Sequence, residues 1–160
     1  MYLKKNEIVI KYDSAQRELY KNEDPTCIYP FWPSKVGIHK KGRNFPAMVA
    51  RKYFEDNGYK VLKQYYLMRC HRQRETNEGF KLICGIFGEG NLRQVISDAK
   101  PLIGGDPDLF VYKQDSSDCF FAEVKENDQI TRNQSILIPI IEKYLCPVKI
   151  VRVVAINKIA

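Results

Sequence analysis

From Asn44 onward, apolar and polar residues follow two periods in turn, one helical and one extended, with turn residues between them. Either Asn44 or Phe45 can cap a first helix, Pro46 suits its opening turn, and AMVARKYFEDNG presents a mostly apolar face that stops at Gly58. YKVLKQYYLMR, with tyrosines and branched residues, predicts a strand. HRQRETNEG is a polar connector. FKLICGIF and NLRQVISDA predict two short helices parted by GEG, the second starting at Asn91 with Gln94 behind it. GGDPDLFVY makes a turn and enters a strand over Leu109–Tyr112, QDSSD is a hairpin-sized connection, and CFFAEVKE is the next strand, antiparallel to the last. ENDQI turns the chain into TRNQSILIPIIEKYL, where Thr131 and Gln134 fit a capping box and Pro139 predicts a kink. VKIVRVVAI is a final strand. That alternation predicts an α/β fold, a mixed β-sheet flanked by helices. Residues 1–43 read as an N-terminal arm: EIVIKYD can form a short strand, and DPTCIYPFWPSKVG is irregular and packed.

Length and composition fit one domain over residues 1–160, with a core over 44–160. The chain has 160 residues, 44% of them hydrophobic and 12% aromatic, enough for a real core. A net charge of +7 favours an anionic partner, most commonly nucleic acid. The basic residues Lys40, Lys41, Arg43, Arg69, Arg72, Arg74 and Arg132 are the candidates for phosphate contacts, against the plainer reading of solvated loops. Tyr29, Phe31 and Trp32 read as a packing plug rather than a base-stacking platform.

Cysteines 27, 70, 84, 119 and 146 are odd in number and without CxxC spacing, so they read as reduced thiols of a cytoplasmic protein. Neither His39 nor His71 completes a zinc pattern, and Cys70 and His71, adjacent on a strand, point apart. No apolar run approaches a membrane span and MYLKKNEIVIKYD has no hydrophobic signal region. GIFGEG lacks the G-K-[ST] ending of a phosphate loop.

FFAEVKEND raises the question of chemistry. Glu123 and Lys125 flank Val124 on a strand, so both side chains point to one face right after two phenylalanines. Alone, E-x-K is a weak surface ion pair. A short hairpin, however, can bring Asp108 close to Glu123 across the pair, and two carboxylates a few ångströms apart repel strongly at an intermediate dielectric. A divalent cation removes the objection: Mg²⁺ takes one or two carboxylates and completes its shell with water and phosphate. Lys125 on the same face would then stabilise a phosphate oxygen, or orient or deprotonate an attacking water. Gln134 alone reads as a helix cap.

In order and spacing, GGDPDLFVY … CFFAEVKENDQITRNQ resembles the PD-(D/E)XK phosphodiesterase superfamily, and more narrowly its virus-type replication-repair nuclease (VRR-NUC) branch. The matching positions are Gly105, Pro107, Asp108 and Leu109, then Glu123, Val124 and Lys125, then Gln134. The resemblance covers residues 104–145 and extends more weakly to the first helix and last strand. It implies a restriction-endonuclease-like fold and a Mg²⁺-dependent DNA endonuclease, with Mn²⁺ as a substitute. Asp108 and Glu123 would bind the metal with the Val124 carbonyl as a further ligand. Lys125 would be the catalytic lysine, Gln134 would support the site or touch substrate, and Asp106 ranks below Asp108. It also implies branched or junction DNA as substrate, and often a homodimer. A sequence-specific restriction endonuclease and a catalytically silent DNA-binding module are the alternatives. One departure stands out: family members often offer an acid from the first helix, whereas NFPAMVA has none, and Glu55 and Asp56 come late. Either one of these serves, or an acid from the arm does, or the site manages without it.

Overall fold

A computed structural model describes residues 6–21, 45–63, 65, 67–68, 76–100, 102 and 104–156. Lys40, Lys41, Arg43, Arg69, Arg72 and Arg74, the arm aromatics, and the Cys70–His71 pair lie outside the described residues. The elements are β1 (Glu7–Asp13), α1 (Ser14–Lys21), α2 (Phe45–Asp56), β2 (Lys60–Leu62), α3 (Glu78–Phe87), α4 (Glu89–Asp98), β3 (Leu109–Tyr112), β4 (Cys119–Lys125), α5 (Arg132–Tyr144) and β5 (Val148–Ile156). They build a five-stranded mixed sheet in the order β1-β5-β4-β3-β2. β1 and β4 run parallel to β5 on its two sides, and β3 is antiparallel to both β4 and β2.

Alternation sorts the strand residues onto two apolar faces. Leu109, Val111, Phe120, Ala122, Val124 and Val151 meet α2, whose Phe45, Met48 and Phe54 are buried there. Phe110, Phe121 and Val148 face α3, α4 and α5, which contribute Ile83, Leu92, Val95, Leu137 and Ile141. β4 is buried almost throughout, which explains its continuous apolar run. Glu123 and Lys125 continue the Phe121 side, so they emerge toward α5.

Several boundaries depart from expectation. The arm is regular at its start: Asp13 and Gln16 make a capping box for α1, with Asp13 Oδ1 accepting from the Ala15 N–H at 2.8 Å and Gln16 Oε1 from the Asp13 N–H at 3.1 Å. β2 is three residues long, not the eleven of YKVLKQYYLMR. The chain leaves the sheet there because Tyr65, Leu67 and Met68 are recruited into the second apolar cluster. α3 begins at Glu78, capped by the Asn77 side chain on the Phe80 N–H, and α4 begins at Glu89 after Gly88, ahead of Asn91. α2 stops as expected: Gly58 takes φ +83°, its N–H bonds to the Glu55 carbonyl and that of Tyr59 to the Phe54 carbonyl, a Schellman close. α5 runs continuously through Pro139, which lies on the exposed side, where the Ser135 carbonyl that loses its helical donor is open to water. Among the described residues no helix is long and apolar enough to cross a membrane.

Candidate active site

The β3–β4 register pairs Leu109 with Ala122, so the next position out sets Asp108 level with Glu123 at the sheet end. Asp108 is fixed to the partner strand: its Oδ2 accepts from the Val124 N–H at 2.8 Å. The turn before it is held from outside. The Tyr65 hydroxyl donates to the Pro107 carbonyl, and Asp106 Oδ1 accepts from the Met68 N–H at 3.0 Å. Gly105 takes φ +91°, and a Cβ there would stand 3.3 Å from Asn133 Cβ at the start of α5. The residues that bent the chain away from β2 therefore clamp the Asp106–Asp108 turn.

Glu123 is 2% exposed. Its Oε1 accepts from Gln134 Nε2 at 2.5 Å and from Lys125 Nζ at 3.0 Å, while Oε2 is buried with no hydrogen-bond partner among the described residues. Burial, and then the Asp108 charge, push the carboxyl up to about 7, against the pull of Lys125 and Gln134. Burial also raises Asp108, opposed by its bond to the Val124 N–H and by the Lys125 and Lys63 charges. Burial acts to lower Lys125, but its hydrogen bonds and charge interactions with Asp128 and Glu123 outweigh that and raise it. The ion pair thus favours the ammonium while leaving Glu123 underpaid: one cation at 3.0 Å does not offset desolvation plus a second carboxylate.

Gln134 serves both roles weighed for it. At the third helical position it accepts the Thr131 N–H through Oε1 at 2.9 Å, and its own N–H reaches Thr131 Oγ1 at 3.3 Å. The cap thereby fixes the amide so that Nε2 points at Glu123. Arg132 opens the same helix with its side chain exposed.

Sequence reasoning missed three contributors. Asp128 holds Lys125 Nζ at 3.0 Å, Tyr65 steadies the turn, and the Lys63 charge acts on Asp108. Asp128 carried a signal, being three residues past Lys125 in KEND; the other two depend on tertiary placement. Glu126, next to Lys125, accepts from the Tyr12 hydroxyl at 2.7 Å and from Arg17, tying the end of β4 to β1 and α1.

Two level carboxylates, both with raised proton affinity, and an orphaned Oε2 among them fit a divalent ion that needs few protein ligands and keeps its water. The late acids of α2 do not join: Glu55 bonds to Arg51 at 2.8 Å and Asp56 pairs with Lys52. Among the described residues no group of three or more His, Cys, Asp or Glu is placed to hold a metal, and the Val124 carbonyl is the backbone candidate beside Asp108 and Glu123. Cys84, Cys119 and Cys146 carry free thiols. Comparison with protein-family models and with curated proteins gives no match.

Proposed function

We propose that this chain is a Mg²⁺-dependent DNA endonuclease of the PD-(D/E)XK superfamily, VRR-NUC branch, with a restriction-endonuclease-like fold. The observation that carries the reading is the convergence of Asp108, Glu123, Lys125 and Gln134 at one sheet end around the unpartnered Glu123 Oε2. Asp108 and Glu123 would hold the metal, which when bound supplies Lewis acidity and a water of lowered pKa. Asp108 is held in place by the Val124 N–H and Glu123 by the Gln134 amide, so both carboxylates are fixed in position. Lys125, anchored by Asp128, offers its ammonium to the charge that builds on the phosphate during phosphodiester hydrolysis. The net charge of +7 supports DNA as the partner, held through salt-sensitive phosphate contacts in which Arg132 joins the basic residues of the arm. Branched or junction DNA is the substrate class, with a two-fold dimer cutting both strands in the cytoplasm.

The test incubates wild type and Lys125→Ala with linear duplex, single-stranded, flapped and four-way DNA, in Mg²⁺ or EDTA. Cutting of branched DNA that needs Mg²⁺ and disappears in the variant supports the reading. Discrete fragments from plain duplex point to a sequence-specific restriction endonuclease instead. Binding with no metal-dependent cleavage under any condition overturns the enzyme and leaves a silent DNA-binding module.

A further inference from the structure

We infer that Lys63 is a DNA-positioning residue, binding the backbone phosphate next to the one cleaved. The inference rests on the nuclease reading of the site. In the β2–β3 ladder Leu62 pairs with Phe110, so Lys63 falls level with Leu109, one position from Asp108. Its neighbour Val61 packs with the α2 cluster and Leu62 with the other, so alternation sends Lys63 to the α2 side. It reaches the same sheet end as the carboxylates, from the opposite face to Lys125.

The surroundings of this ammonium are those of a cation waiting for an anion. Lys63 is half-buried, and burial is the main influence lowering its proton affinity. Two charges act on it: the Arg51 guanidinium of α2 repels it, and Asp108 attracts it. No hydrogen bond to a described residue is among the influences on it. Arg51 is itself steered by Glu55, whose Oε1 accepts from its Nε at 2.8 Å. A partly desolvated lysine without a hydrogen-bonded acid, beside a second cation, is electrostatically underpaid, and a phosphate oxygen is the acceptor that would relieve it. Asp108 attracts it by charge without a hydrogen bond between them, and Asp108 Oδ2 accepts from the Val124 N–H. With Lys125 on one face and Lys63 on the other, a DNA strand crossing the sheet end would meet a cation on each side of the acidic pair.

The binding arm uses fluorescence anisotropy of a short labelled duplex, plain or flapped, with Ca²⁺ in place of Mg²⁺, over a range of salt. Lys63→Gln should weaken binding several-fold at moderate salt and reduce the slope of log affinity against log salt by about one. Lys63→Arg, which keeps the charge, should retain the slope. Lys113→Gln makes the same charge change at the other end of β3 and should leave the slope unaltered. Circular dichroism checks that each variant is folded. An unchanged slope in Lys63→Gln, or an equal loss in Lys113→Gln, overturns the inference while leaving the nuclease reading intact. A wild type that binds no DNA overturns both. A wild type that binds without cutting in Mg²⁺ refutes the nuclease and, with no phosphate cleaved, overturns this placement of Lys63 as well.

Discussion

Replacing Glu123 by glutamine removes the charge from a side chain that is 2% exposed while keeping its shape. The amide oxygen can still accept from Gln134 and Lys125. The carboxyl is raised from 4.5 to about 7, a net figure that already includes the attraction of Lys125. A raised carboxyl holds a proton in the folded state that the unfolded chain has released. Its charge therefore costs nothing below pH 4.5, and progressively destabilises the fold as pH climbs through about 7. At about 1.4 kcal/mol per pH unit between the two values, the full cost is about 3 kcal/mol. In EDTA at pH 8 the variant should be more stable than wild type by that amount, a rise of roughly 6–12 °C in melting temperature. At pH 4.5 the two should nearly coincide. Urea denaturation from pH 4.5 to 8 gives the difference curve. Millimolar Ca²⁺ should stabilise wild type and reverse much of the gap, because the cation binds the folded carboxylates and the amide cannot replace them. A variant less stable than wild type at pH 8 in EDTA would refute the claim that this site bears unrelieved charge.

Gln134→Glu preserves the capping geometry but sets a carboxylate where the amide stands 2.5 Å from Glu123, so cleavage should fall at least about tenfold. Thr131→Ala should cost about 1 kcal/mol in urea denaturation. Tyr65→Phe leaves the Pro107 carbonyl without its buried donor and should cost about 1–2 kcal/mol. Its cleavage rate should also drop at temperatures where the variant is fully folded, because the turn that aims Asp108 loosens. Gly105→Ala should destabilise by about 1–3 kcal/mol, since φ +91° is strained for alanine and its Cβ would press on Asn133. Gly90→Ala, in helix α4 with open space around the new Cβ, should stabilise by about 0.5–1 kcal/mol in the same measurement.

What could be read from the sequence was what local chemistry decides. The Gly-Asp-Pro-Asp turn, the hairpin joining β3 to β4 and the Thr131–Gln134 cap each follow from a few adjacent residues, and together they place Asp108, Glu123, Lys125 and Gln134. The Asp13–Gln16 cap was equally legible and marks a helix that reading residues 1–43 as an irregular arm passed over. The tyrosines after Leu62 misled because strand propensity describes a pleated, half-buried surface, and Tyr65 found such a surface without joining the ladder. Lys63 lay beyond reach for the same reason: its neighbours Arg51 and Asp108 come from α2 and the β3 turn, and nothing within KVLKQ announces them.

The position of β5 has a consequence for how the protein is made. β5 lies between β1 and β4, and among the described residues β1 has no other strand beside it, with Glu7 opposite Ile150. During translation the first strand must wait, its backbone groups hydrated, until residues 148–156 clear the ribosome. Only the β2–β3–β4 meander can assemble earlier. Such late, long-range closure slows folding, and the nascent chain carries Ile8, Val9 and Ile10 unsheltered throughout. Ribosome-bound chains halted before residue 148 should engage chaperones more than those released whole.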